Sequence, residues 1–195
     1  LWEYHPGMNT WTQKSNFPGT PRMAATSFVV NSKGYVGTGL SQFEHQKDFW
    51  QYDPATDTWT RKKDFGGTAR MFSGSFVISK WPYVGAGVNS NAFQPDFWEY
   101  DAFNDSWIQK ASLPANSSTY HSGFFSIGTK GYAGGGQNQL WMFDPAANTW
   151  VQKADIPLNM NAGVGFALNG FGYIGLGNYI VGSLDNRVFY KYTPD

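Results

Sequence analysis

The chain has 195 residues, with 14 basic and 14 acidic side chains, so its formal net charge is zero. Charged residues make up 14% and aromatics 18%, alongside 23 glycines. That mixture excludes a disordered segment, which is poor in aromatics, and gives no electrostatic support for nucleic acid or an anionic membrane surface. Cysteine is absent, so disulfides, thiolate metal sites and a cysteine nucleophile are all excluded. No apolar run approaches the ~20 residues of a membrane-spanning helix.

In chain order, the first element is Trp2-Glu3-Tyr4-His5-Pro6, and it recurs four more times. The copies are Trp50-Gln51-Tyr52-Asp53-Pro54, Trp98-Glu99-Tyr100-Asp101-Ala102, Trp141-Met142-Phe143-Asp144-Pro145 and Tyr190-Lys191-Tyr192-Thr193-Pro194, at spacings of 48, 48, 43 and 49. Seven residues after the central aromatic stands a further tryptophan: Trp11, Trp59, Trp107 and Trp150. These two positions hold eight of the nine tryptophans, so the periodicity is architectural. Leu1 opens in mid-motif, as expected of a piece of something longer.

Between the tryptophan blocks lie glycine pairs at Gly37/Gly39, Gly85/Gly87, Gly134/Gly136 and Gly175/Gly177. Apolar runs precede them, for example Phe28-Val29-Val30 and Phe76-Val77-Ile78. Each unit therefore reads as four short strands: a (23–30 in the first unit), b (34–39), c (48–52) and d (58–62). Asp53 and Pro54 supply turn chemistry between c and d. The glycines belong where a ring or backbone approaches too closely for a Cβ. Residues 1–15 make a half blade, 22–63, 70–111 and 119–154 full blades, and 160–195 an incomplete one. The strand-d tryptophans are expected to be buried, and Trp81 to lie part-exposed in an a–b turn.

The paired glycines followed by Tyr and Trp, as in Gly34-Tyr35-Val36-Gly37-Thr38-Gly39 and then Asp48-Phe49-Trp50-Gln51-Tyr52-Asp53-Pro54, resemble the Kelch repeat over the whole chain. The wording looks most like Kelch domains of bacterial secreted or cell-envelope proteins, related to the central domain of galactose oxidase. The resemblance implies an all-β, Kelch-type β-propeller of four-stranded antiparallel blades, about four blades' worth, forming an arc of a larger ring. It also implies an extracellular or envelope location. Counting strands gives 17, whereas four closed blades need 16, because Trp2–Tyr4 and 187–192 are both strand c. Edge-to-edge self-association, or further blades from a longer parent chain, is expected.

In such a propeller the b–c and d–a loops share one face. The long b–c loops, 40–47, 88–95 and 178–186, present Phe43, Glu44, His45, Gln46, Asn89, Asn91, Phe93, Asn178 and Tyr179. Aromatic rings with amides suit a sugar or a peptide. Arg22 and Arg70 stand at equivalent positions before strand a, able to grip a carboxylate or to stack on a neighbouring ring. His121 stands at the start of the third strand a. The histidines His5, His45 and His121 show no local metal-ligand spacing, so neither a metal nor an organic cofactor is expected. No catalytic carboxylate pair stands out. The first expectation is thus a non-catalytic module binding protein or glycan through its loop face. The alternative that the resemblance implies is a carbohydrate-active enzyme such as a sialic-acid mutarotase, using Arg22, Arg70 and Glu44.

Overall fold

The computed structural model describes residues 1–42, 44–90, 92–114, 123–157, 160–161, 163–179 and 187–194, with the backbone alone at 160–161 and 178–179. The chain opens with a hairpin of β1 (Trp2–His5) and β2 (Thr10–Gln13). Blade 1 contains β3 (Thr26–Val30), β4 (Lys33–Gly37), the short ladder β5 (Leu40–Ser41) with β6 (Glu44–His45), then β7 (Phe49–Asp53) and β8 (Thr58–Lys62). Blade 2 repeats this with β9 (Gly74–Ile78), β10 (Trp81–Gly85), the ladder β11 (Val88–Asn89) with β12 (Ala92–Phe93), β13 (Phe97–Asp101) and β14 (Ser106–Lys110). Blade 3 has β15 (Gly123–Ile127), β16 (Lys130–Gly134), a 3-10 turn at Gly136–Asn138, β17 (Leu140–Asp144) and β18 (Thr149–Gln152). Blade 4 comprises β19 (Met160–Asn161), β20 (Val164–Leu168), β21 (Phe171–Gly175), β22 (Asn178–Tyr179) and β23 (Phe189–Tyr192).

The result is an all-β propeller arrangement. Blades 1 to 3 are four-stranded antiparallel sheets in sequence order, and blade 4 has the order β20-β21-β23 with the small pair β19-β22 beside it. The innermost strands pack in succession, β3 on β9, β9 on β15 and β15 on β20. Ser75 Oγ donates to the Ser27 carbonyl at 2.8 Å between two of them. The β1-β2 hairpin forms a sheet of its own, without a ladder to β23. Among the described residues, then, β2 pairs with β1 and not with β23.

The hydrophobic core lies between blades. Phe28, Tyr35 and Phe49 of blade 1 meet Val84 and Tyr100 of blade 2. Phe76, Tyr83 and Phe97 then meet Ala133, Trp141 and Phe143, and Phe125, Tyr132 and Leu140 meet Ile174. Large flat rings fill the wedge between twisted sheets with little polar surface to satisfy. Gly37 is one of several points of very close approach, since a Cβ there would lie 2.2 Å from the Phe49 ring. Gly39 has φ near 103°, which releases the chain from β4 toward the loop face.

Two expectations need correction. The strand-d residues Trp59, Trp107 and Trp150 are half-buried, and it is the strand-c partners Tyr100 and Phe143 that are fully enclosed. The outermost strand of a blade keeps one side in solvent, whereas strand c is covered on both faces. Trp81 is the first residue of β10 rather than a turn residue, half-buried beneath the Lys80 ammonium. The b–c segments also differ from open loops: two fold into two-residue ladders, each joined by an isolated bridge to a methionine three residues ahead of the innermost strand, Met23 to Leu40 and Met71 to Val88.

Candidate functional site

The loop face is organised by an arginine device built twice. Arg22 donates to Asp48 from Nη1 at 2.5 Å and from Nη2 at 2.9 Å, to the Thr38 carbonyl at 3.0 Å and, through Nε, to the Thr20 carbonyl at 3.0 Å. Its guanidinium lies 5.1 Å from the Phe17 ring centroid. Arg70 repeats the pattern on Asp96 at 2.8 Å, Ala86 O at 3.1 Å, Thr68 O at 3.0 Å and Thr68 Oγ1 at 3.1 Å, and stacks 4.9 Å over Phe65. Trp50 and Trp98 each donate their Nε1–H to the same aspartate at 2.7 Å. Burial works against ionising Asp48 and Asp96, but the bonds from arginine and tryptophan outweigh it and hold both carboxyls below the usual range. Both arginines thus use the two chemistries foreseen for them, carboxylate grip and ring stacking, on groups of their own chain.

Beside the first of these clamps opens a cavity of about 520 Å³. Its walls are the d–a segment Pro18–Thr20, the b–c segment His45–Asp48, Trp50, and Arg61 with Asp64 beyond β8. Gly19 lets the chain cross here, since a Cβ would press on the Phe17 ring at 2.7 Å and Trp50 Nε1 at 3.0 Å. Arg61 Nη2 donates to Asp64 Oδ1 at 3.0 Å, both side chains being exposed. His45 is half-buried, and its Nε2 is enclosed without a hydrogen-bond partner among the described residues. A buried imidazole nitrogen lacking a partner is costly, and a ligand group reaching it would recover that cost.

Of the residues nominated from the sequence, His45 and Gln46 are those among the described residues that line this cavity. Glu44 is exposed on β6. Asn89 is half-buried and accepts from Ser90 Oγ at 3.0 Å. Phe93, in register with His45, is partly buried and packs on the blade 2 core. Asn178 and Tyr179 pair through their backbones with Asn161 and Met160. Phe43, Asn91 and His121 lie outside the described residues. Among the described residues no group of three or more His, Asp and Glu side chains is placed to hold a metal.

Sequence reasoning missed Lys47, Arg61 and Asp64. Arg61 carried a readable signal: two residues after the strand-d tryptophan the other repeats have Gln13, Gln109 and Gln152. Glu99 was also missed. It is buried in blade 2, accepts from Tyr83 Oη at 2.6 Å and pairs with Lys110 at 3.0 Å. Burial, then the hydrogen bond to Glu99, push the Tyr83 hydroxyl far above its ordinary pKa. This largely buried group cross-links strands b, c and d.

No family model matches the chain, and no curated protein matches it. Among solved structures, that of YjhT superimposes with a TM-score of 0.74 at 19% sequence identity, over 86% of this chain. The chain spans 62% of the length of that protein. At this identity the likeness is one of fold.

Proposed function

We propose that the chain is a Kelch-type propeller module that binds a protein or glycan, without catalysing a reaction, through the face formed by its b–c and d–a loops. The observation carrying this reading is the cavity at the Trp50 corner of blade 1, where repeat-breaking side chains converge: His45 where blade 2 has Phe93, Lys47 where it has Pro95, and Arg61 where it has Gln109. Departures from a repeat that cluster in one cleft suit recognition better than packing, because the scaffold needs none of them. A half-buried indole beside charged and amide groups offers stacking and paired hydrogen bonds to a sugar ring or peptide. The mutarotase-like alternative draws no support from the arginines it relies on, since Arg22 and Arg70 engage Asp48, Asp96 and backbone carbonyls. An extracellular or envelope setting accompanies the Kelch resemblance.

The test is a glycan-array and peptide-library screen of the chain, followed by calorimetry on the best hit. Arg61→Gln and His45→Phe, which restore the blade 2 and consensus residues, should each weaken binding about tenfold without lowering the melting temperature. Undiminished binding by both variants, or a footprint confined to the opposite face at Lys33 and Lys130, would overturn the reading.

A further inference from the structure

The cavity at the Trp50 corner of blade 1 is charged in a way that its counterpart in blade 2 is not. One repeat further on, His45, Lys47, Arg61 and Asp64 become Phe93, Pro95, Gln109 and Ser112. That leaves the corner of blade 2 with the Arg70–Asp96 clamp for its charges. In blade 1 the clamp is Arg22 with Asp48, and Lys47, Arg61 and Asp64 are added to it. Two added cations against one added anion leave this corner positive.

The scaffold requires neither cation. Arg61 donates to Asp64 at 3.0 Å, but Gln152 at the equivalent place in blade 3 donates to Asp155 at the same distance. The bond needs a donor and not a charge. The Lys47 ammonium is exposed and pairs with no carboxylate among the described residues. Its backbone carbonyl accepts from the Phe65 N–H at 2.7 Å, which fixes where the side chain leaves the b–c segment. Asp48 is no counter-ion for either, because Arg22 and the Trp50 Nε1–H already occupy its oxygens. Glu44 is exposed on β6 and forms no part of the cavity wall.

The same wall carries the half-buried Trp50. Carboxylates on a ligand would neutralise Lys47 and Arg61 while an apolar group covers the indole. Long, exposed cations read charge and its spacing. Reading the stereochemistry of hydroxyls takes short donors held rigidly in an enclosed site. An extended peptide presents side chains on one face at every second residue, about 7 Å apart, a pattern that two mobile cations can follow.

On this charge balance, and resting on the reading of the cavity as the recognition site, we infer that its ligand is an acidic peptide segment of a partner protein. Carboxylates of the segment pair with Lys47 and Arg61, and a neighbouring apolar side chain lies against Trp50. The Arg22–Asp48 clamp stays intact and holds the indole through its Nε1–H. Exposed ion pairs give such a contact fast, salt-sensitive association and modest strength, with Kd on the order of 1–100 µM.

The probes are an array of random blocked peptides and an array of neutral and uronic-acid glycans. The peptides retained should be enriched in Asp and Glu. In calorimetry the best of them should lose about tenfold in affinity with Lys47→Gln and about tenfold with Arg61→Gln. Changing its acidic residues to the amides should cost a similar factor. Raising salt from about 0.05 to 0.5 M should weaken binding at least about fivefold in the parent chain and hardly at all in the double variant. Arg61→Gln keeps a donor for Asp64, as Gln152 does for Asp155, so the melting temperature should not move. Retained peptides without acidic enrichment, or uronic-acid or neutral glycans bound as tightly as any peptide, overturn the inference and leave a binding module. An acidic peptide whose affinity survives both substitutions overturns it too. Silence on both arrays overturns the inference together with the reading it rests on.

Discussion

Truncating Trp107 to alanine tests the inter-blade packing most directly. Its ring lies 4.7 Å from Tyr100, 5.0 Å from Phe49 and 5.1 Å from Phe65, and its Nε1–H reaches the Lys63 carbonyl. A fully buried tryptophan costs about 3–5 kcal/mol on truncation. Trp107 is half-buried, which removes part of the transfer energy. Against that, each well-oriented ring pair adds about 0.5–1.5 kcal/mol, and the lost bond leaves a carbonyl unclasped. The net expectation is a loss of about 2–4 kcal/mol. Trp11 provides the control: it has the same place in its hairpin, keeps one ring contact, and is 64% exposed. Its truncation should cost under about 1 kcal/mol. Urea denaturation followed by far-UV circular dichroism, at a dilution where the chain is monomeric and with the slope unchanged, measures both. Equal losses for the two variants would show that the inter-blade contacts do not carry the stability assigned to them.

Two further outcomes are expected. Arg70→Ala should cost about 3–5 kcal/mol, because it strands Asp96 beside a fully buried hole; a loss below about 1 kcal/mol in the same denaturation assay would show that the clamp is dispensable. The pH dependence follows from Asp48 and Asp96, whose folded pKa values lie below their unfolded ones. Their contribution is complete above the unfolded value near ~4 and is lost as pH falls through the folded values. The melting temperature should therefore be flat from about pH 5 to 8 and decline below about pH 4, with a shallower decline in Asp96→Asn. An acid decline as steep in Asp96→Asn as in the parent chain would assign the titration elsewhere.

Periodicity made the blades legible. A tryptophan seven residues after each strand-c aromatic specifies a hairpin of set length, because side chains alternate along strands and the Asx-Pro turn limits the loop. The glycines were readable for a similar reason, since only a missing Cβ admits the Phe49 ring beside Gly37. The strand count likewise showed that β1 and β23 cannot both pair with β2, and among the described residues β1 does.

The candidate site was harder to read. Loop residues such as Glu44 and Asn89 carry no periodic constraint, so composition nominated them while position decided their use. Phe93 illustrates this: it is apolar in a loop, and the β11–β12 ladder turns it onto the core. Arg22 and Arg70 were visible as a repeat, but Asp48 and Asp96 had to be brought 26 positions back along the chain for their shared role to appear. Arg61, Lys47 and His45 meet only because β8 ends beside the b–c segment at the top of the same blade. Local sequence determined the strands, turns and close-packing glycines, because those depend on neighbours within a few residues. The clamps and the cavity depend on which segments the folded blades bring side by side, and that only the tertiary structure decided.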